Sequence, residues 1–395
     1  MAGLTRHPLK INADYQEIAG LRFASPAMTC PFDTFQQKNN YMKKIIRSFY
    51  FVLIAAVFTA CEKNDPVPEP EQPGESISGV FILNQGSYGL NNAGISYYDF
   101  ETGNVRFDIA NGKLGDTGQD MIAYGSKLYV SVSSSGRVSV FDLKSQTSIT
   151  DIDLSDGDQP REPRSLASYG GKVYVTTYDG NVVRIDTTSL SQDGITPVGS
   201  NPEGIAAVNG KLYVANSGGL NYPDFNNTLS IVDIATFQEE KTLTVGLNPN
   251  VVHADSYGNV YLTYVGNYAD VSGGIQRIDT KTNAVSDISI SANHDFTIVG
   301  DSLYFYGTTY DSDWNTISSF GIYNVKTQQL VTNQLITDWT SIQTPYGIGV
   351  NETTRDVYIA DTDYSTPGVV YVFGADGKKK NTLNVGVNAC KFVFY

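Results

Sequence analysis

Few side chains in this chain are placed to do acid–base or metal chemistry. Beyond the first 60 residues there are two histidines, His253 and His294. Two cannot furnish a three-histidine zinc site, and neither His-Glu-x-x-His nor Gly-x-Ser-x-Gly occurs. His253 aligns with Ala206 of a repeated strand and reads as a packed residue; His294 falls in a turn and is the better functional candidate. Asp311/Asp313 and Asp361/Asp363 pair carboxylates, but without the ligand count of an EF-hand loop, so solvated turn residues are the plainer reading. Cys390 lacks a neighbouring His or Asn signature and is expected to be a buried structural thiol. No catalytic residue, metal or required cofactor is expected, and the chain reads as a non-enzyme.

The side chains that do recur are of a binding kind. Four segments, 84–92, 216–227, 264–270 and 307–315, are rich in Tyr, Trp and Asn spaced by Gly, with hardly a Lys or Arg. Tyr and Trp offer broad faces with a polar tip, and Asn both donates and accepts. Together they suit a large, neutral ligand rich in amides or hydroxyls, and do not suit phosphate. The candidates are Asn84, Tyr88, Asn91, Tyr178, Tyr222, Tyr264, Tyr268, Tyr310, Trp314 and Tyr364. Taken singly, each is equally a loop-packing residue; the set carries the argument.

The elements that must position them are set by a phrase that returns seven times, as in Gly210-Lys-Leu-Tyr-Val214. Its aromatic anchors Phe81, Tyr129, Tyr174, Tyr213, Tyr261, Tyr304 and Tyr358 are spaced by 48, 45, 39, 48, 43 and 54 residues. Short strands at such a period predict an all-β, seven-bladed β-propeller over residues 77–395. Four strands per blade follow, labelled A to D: the phrase is B, and C closes on an acidic turn, as at Asp142 or Asp233. The first blade begins at a B strand. Residues 387–395 have the form of an A strand, and are expected to return beside Val80–Leu83 and close the ring.

Antiparallel strands put B–C loops and D–A turns on one face. From anchor to the end of strand C the chain takes 13 and 12 residues in blades two and three, but 18, 20, 18, 20 and 15 in blades one, four, five, six and seven. Unequal insertions on one face mark a binding face, although loops also tolerate length without function. The D–A turns add Gln119-Asp120, Pro163-Arg164, Pro202-Glu203, Pro249-Asn250, His294-Asp295, Pro345-Tyr346 and Asn388-Ala389 around the channel mouth. Arg164, His294 and Tyr346 join the candidate contacts.

Residues 1–41 show no periodicity and read as an over-extended gene start before Met42. Residues 42–60 combine a basic start with an apolar run too short to span a bilayer. They run up to Cys61 through Phe58-Thr59-Ala60, a junction that resembles a bacterial lipoprotein signal with Cys61 acylated; an ordinary secretory signal is the alternative. Residues 61–76 form a Pro- and Glu-rich tether. Residues 1–60 hold seven basic and three acidic residues, leaving 20 Lys/Arg against 38 Asp/Glu, a net charge of −18. That sign excludes a nucleic-acid partner and suits a protein touching the outer membrane through a lipid anchor only, exposed at the cell surface.

The repeat Asn201-Pro-Glu-Gly-Ile-Ala-Ala-Val with Lys211-Leu-Tyr-Val-Ala-Asn and Ile231-Val-Asp233 resembles the YncE-like, or YVTN-repeat, seven-bladed propellers over residues 77–395. The opening Phe81-Ile-Leu-Asn-Gln-Gly-Ser-Tyr-Gly, with Asn91-Asn92 and Ile95-Ser-Tyr-Tyr-Asp99, is similar to the BtuG-type surface lipoproteins. That resemblance implies capture of a corrinoid, vitamin B12, and its delivery to a BtuB-like TonB-dependent transporter. A corrinoid presents peripheral amides and a broad ring, which Asn and Tyr would meet. Glycans favour the same side chains, so a glycan-binding or adhesion propeller remains the alternative, and a propeller lyase or lactonase the third.

Overall fold

The Tyr phrase becomes a strand buried on both faces, because each blade is sandwiched between two others. Lys211–Asn216, for example, is buried at every position after its first. Such strands read as continuous apolar runs, whereas the outermost strand of the same blade, Gln238–Thr244, buries only Leu243. The computed structural model describes residues 78–310 and 316–395. The chain divides into two units, 1–62 and 63–395, and every described element lies in the second. The leader, Cys61 and the tether lie outside the described residues.

All described elements are strands, arranged as seven four-stranded antiparallel sheets. Blade one is assembled from both ends of the chain: Ala389–Phe394 pairs with Gly79–Asn84 in the register Val80↔Phe394 to Leu83↔Lys391. The expected closure is present. Backbone bonds seal it, with Ser78 N–H and Gly79 N–H both donating to the Tyr395 carbonyl at 2.7 and 2.8 Å. The seven aromatic anchors lie in the interblade core, each 6 % exposed or less.

Seven A strands line the axis: Gly118–Tyr124, Pro163–Tyr169, Pro202–Val208, Pro249–Ala254, Asp295–Val299, Pro345–Val350 and Ala389–Phe394. In five of them the register with strand B shifts directly after the first residue, as between Pro202 and Ile205. A bulge there re-aims side chains, and it turns the residue after the Pro toward the channel mouth. The blades are also stitched at this level. Ser131, Thr176 and Thr263 on strand B donate their hydroxyls to the carbonyls of Arg164, Glu203 and His294 in the next blade. Asp120 Oδ2 accepts Leu166 N–H across the same seam at 2.8 Å.

Candidate functional site

A cavity of about 580 Å³ opens between the A strands and is walled by Gln119, Arg164, Glu203, Asn250, His294 and Tyr346 at its mouth. All six belong to the D–A turns picked out by sequence. Charge at the mouth is internally matched. Arg164 grips Glu203 in a two-pronged bond, Nε to Oε2 at 2.9 Å and Nη2 to Oε1 at 3.1 Å. Its guanidinium lies 4.5 Å from the centre of the Tyr178 ring, and the Tyr178 hydroxyl donates to Glu203 Oε1. Burial disfavours the Arg164 charge, but Glu203 with Tyr178 and Glu162 together outweigh it and hold the group above its ordinary value.

Across the mouth Tyr346 donates its hydroxyl to Gln85 Oε1 at 2.6 Å and meets Tyr364 edge to face, centroids 5.6 Å apart. His294 stacks on Tyr306 at 5.9 Å, and its Nε2 lies 2.6 Å from Thr308 Oγ1. Burial lowers its pKa, so the ring is neutral at pH 7. Deeper in the channel Lys391 Nζ stands 3.6 Å from Asp295 Oδ2. Burial works against Lys391, yet Asp295 and Asp120 keep it charged, while burial raises both carboxyls. His253 also lines this channel, edge-on to Phe296 at 5.1 Å. Burial pushes it down to about 3, leaving it a neutral wall residue. Among the described residues no group of three His, Cys, Asp or Glu side chains is disposed to hold a metal ion.

Above the mouth stand the B–C loops. Tyr88 is 84 % exposed, Tyr222 and Tyr268 72 % each, and Tyr364 56 %. These four rings project from loops that are themselves tied down. Gly89 N–H donates to Asp116 Oδ2 at 2.8 Å and Ser87 N–H to Asn92 Oδ1 at 2.7 Å, which fixes the loop bearing Tyr88 and the exposed Asn91. Asn201 reaches from the neighbouring turn to bond the Tyr178 carbonyl and Leu220 N–H, holding the loop bearing Tyr222. Tyr222, Phe225 and Tyr268 form an edge-to-face row with centroids 5.8 Å apart, joining blades four and five. Asp361 accepts Gln343 and Thr344 N–H, and Asp363 accepts Ser365 and Thr366 N–H. These carboxylates build the turn beneath Tyr364, and Asp311 and Asp313 lie outside the described residues.

Two candidates sit elsewhere. Asn84 is 2 % exposed: its Nδ2 donates to Ser96 and its Oδ1 accepts Gly386 N–H, at 2.9 Å each, so it locks the closing blade from within. Tyr264 turns away from the mouth and packs against Gly246, with its hydroxyl 3.5 Å from Asp287 Oδ1 on the outer strand. Tyr310 ends strand Ser302–Tyr310 opposite Thr316, and Trp314 lies outside the described residues. Sequence reading passed over Gln85, Phe225 and Lys391. A charged residue within an otherwise small and apolar A strand was the available signal for Lys391.

The chain belongs to the family described as "Domain of unknown function (DUF5074)", which matches residues 78–391. No curated protein matches it by sequence. Among solved structures, a putative 6-phosphogluconolactonase from Bacteroides uniformis aligns at TM-score 0.57 and 12 % identity, covering 80 % of this chain and 100 % of that one. Hydrazine synthase of Kuenenia stuttgartiensis aligns at 0.55 and 14 %, covering 69 % and 87 %. Dihydro-heme d1 dehydrogenase NirN aligns at 0.50 and 12 %, covering 82 % and 77 %. At such identities the likeness is one of fold, and the scaffold itself is compatible with catalysis as well as binding.

Proposed function

We propose that this propeller is a non-catalytic capture protein that takes a corrinoid on its loop face, held at the outer membrane by an acylated Cys61, and passes it to a TonB-dependent transporter of the BtuB kind. One observation carries the reading: exposed Tyr88, Tyr222, Tyr268 and Tyr364, on tied loops of four different blades, surround a polar mouth whose charges are matched internally. A broad ligand with an apolar ring and amide edges would meet flat aromatic faces above and Gln, Asn and Tyr donors below. Loops already tied before binding lose little freedom on contact.

A phosphosugar lactonase reading is less well served. Arg164 is committed to Glu203, Lys391 to Asp295, and Arg161 to Asp156 and Asp179. Each cation at or below the mouth thus has a carboxylate already, and a phosphate would have to displace it. A glycan platform would use the same exposed tyrosines, and is the reading that remains if corrinoid fails.

Cyanocobalamin should bind one-to-one in titration calorimetry. Tyr222→Ala with Tyr268→Ala should weaken it by about 2–4 kcal/mol, because the pair shares one aromatic row. Asp186→Asn on the opposite face should leave affinity unchanged. No heat at micromolar vitamin, with binding on a glycan array, would replace the corrinoid by a glycan.

A further inference from the structure

Away from the mouth one side chain stands out. Trp339 is 97 % exposed and sits at φ 63°, a left-handed conformation unusual for a bulky residue. The loop that presents it is anchored on both sides. Leu335 and Ile342 are buried between blades six and seven. Thr337 N–H and Oγ1 donate to the carbonyls of Gly377 and Asp376, both at 2.9 Å. Asp338 accepts Thr340 N–H and, through Oδ2, Lys379 N–H at 2.6 Å. A large ring is thus held outward by design of its neighbours, against the general tendency of Trp to be covered.

Asp338 ties this loop directly to Lys378-Lys379-Lys380, the chain's one run of three consecutive basic residues in a protein whose charge after residue 60 is −18. Lys379 Nζ lies 5.2 Å from the centre of the Tyr371 ring, and Lys380 pairs with the mostly buried Asp356 at 2.7 Å. Lys378 and Lys379 face outward beside Asp376. Asn381 follows and donates to the Tyr98 hydroxyl of blade one at 3.1 Å. Tyr98 shares a cluster with Phe100, whose N–H donates to the Ser78 carbonyl at 2.9 Å. Through Asn381 the basic run therefore adjoins the blade that the chain enters at Ser78, and the loop bearing Trp339 adjoins the run. Sixteen residues separate Cys61 from Ser78, a reach of at most about 55 Å.

We propose that Trp339 and Lys378–Lys380 form a patch that rests this wall of the propeller on an anionic lipid surface. The proposal rests on the lipid-anchored reading of Cys61 only in that the anchor would bring this wall to the bilayer. Trp belongs at the headgroup level, with its ring in the apolar margin and its N–H in the wet layer. Lysines beside it meet the surface charge, and their stems lie along the interface. Although Trp339 belongs to a D–A connection, Thr337 and Asp338 tie that connection down to the C–D turn of blade seven, so resting on this wall leaves the loop face open to ligand.

The test is flotation of the chain from Glu62 onward, whose propeller carries its own closed core, with vesicles of phosphatidylcholine alone or mixed with phosphatidylglycerol. Trp314→Phe leaves Trp339 as the sole reporter. Expected are retention by the anionic vesicles above the neutral ones and a blue shift of the Trp339 emission. Trp339→Ala should lower retention about tenfold, and Lys378→Gln and Lys379→Gln about fivefold each. Tyr222→Ala with Tyr268→Ala should leave it unchanged. No flotation on either vesicle, flotation untouched by Trp339→Ala, or an unshifted emission would overturn the proposal. Palmitate labelling of the whole chain tests the anchor separately: labelling without vesicle binding leaves the anchor and removes the docking wall, and vesicle binding without labelling does the reverse.

Discussion

The two faces of the propeller are built on opposite rules. On one, six C–D turns repeat a single device. Asp99, Asp142, Asp186, Asp233, Asp279 and Asn324 each accept, through Oδ1, the N–H three residues on, at 2.7–3.1 Å. The turn then passes through positive φ at Gly103, Gln146, Leu190, Phe237, Asn283 and Gln328. On the other face the B–C loops share a backbone bond to the residue ahead of strand A, as from Ser133 N–H to the Thr117 carbonyl and from Tyr178 N–H to that of Glu162, but the side chains that hold the long ones differ: Asp116 one, Asn201 another, Asp361 and Asp363 a third. Repetition specifies the scaffold, and departures from it specify chemistry. A surface made of seven unlike loops can be varied without touching the turns that set each blade.

The comparison breaks most completely if the ring opens. Removing residues 387–395 strips blade one of its inner strand and exposes Val80 and Ile82, which are fully buried. Loss of cooperative folding, or a fall in Tm of more than ~10 °C by circular dichroism, is expected. A truncated chain melting with the parent would show that the two faces do not depend on closure.

A smaller effect separates mouth from outer wall. Arg164 and Glu203 have side chains only 21 % and 12 % exposed, so Arg164→Met leaves a desolvated carboxylate and should cost about 3 kcal/mol in urea unfolding. Arg164→Met with Glu203→Leu should recover most of that loss. On the outer strands, Arg137 pairs with a more exposed Asp151 at 3.3 Å, and breaking that pair should cost under ~1 kcal/mol. Equal costs at the two places would mean that the mouth is solvated like the wall.

What the sequence revealed follows the same division. Blade number, strand order and closure were legible because seven copies average out local exceptions. The mouth was legible by place, since the D–A turns announce themselves through Pro and Asn. Its bonding was not, because Glu203 lies 39 residues from Arg164 and only the ring brings them together. Asn84 was misplaced because an Asn at the end of a B strand looks alike whether it points to solvent or back at Ser96. Trp339 went unread because attention to B–C lengths overlooks a long D–A connection, although the 54-residue spacing from Tyr304 to Tyr358 recorded it.

The smallest effect is electrostatic and sets the turn face against the channel. Lys172 at Asp186 and Lys211 at Asp233, with turn N–H groups at all five, hold the turn carboxyls below their ordinary range, Asp233 at about 2. A carboxyl lowered by folding stabilises the fold above its unfolded pKa, near ~4. That contribution is lost as pH falls through the folded value. Asp120 and Asp295 are raised by burial, so they act with the opposite sign: folding favours their protonated forms, and their contribution fades as pH rises above ~4. The acid limb of a Tm–pH profile between about pH 4 and 2 should therefore draw on the turn face, together with Asp363 and Asp270 of the loop face, which their own hydrogen bonds lower likewise, and not on the channel. Asn324 already does the turn's work in blade six without a titrating group. Asp186→Asn with Asp233→Asn should accordingly keep both turns, make that limb shallower, and lower Tm slightly at pH 7 through loss of the Lys172 and Lys211 contacts. If the limb survives both substitutions while Asp120→Asn changes it, the channel governs acid stability and the division of labour between the faces is reversed.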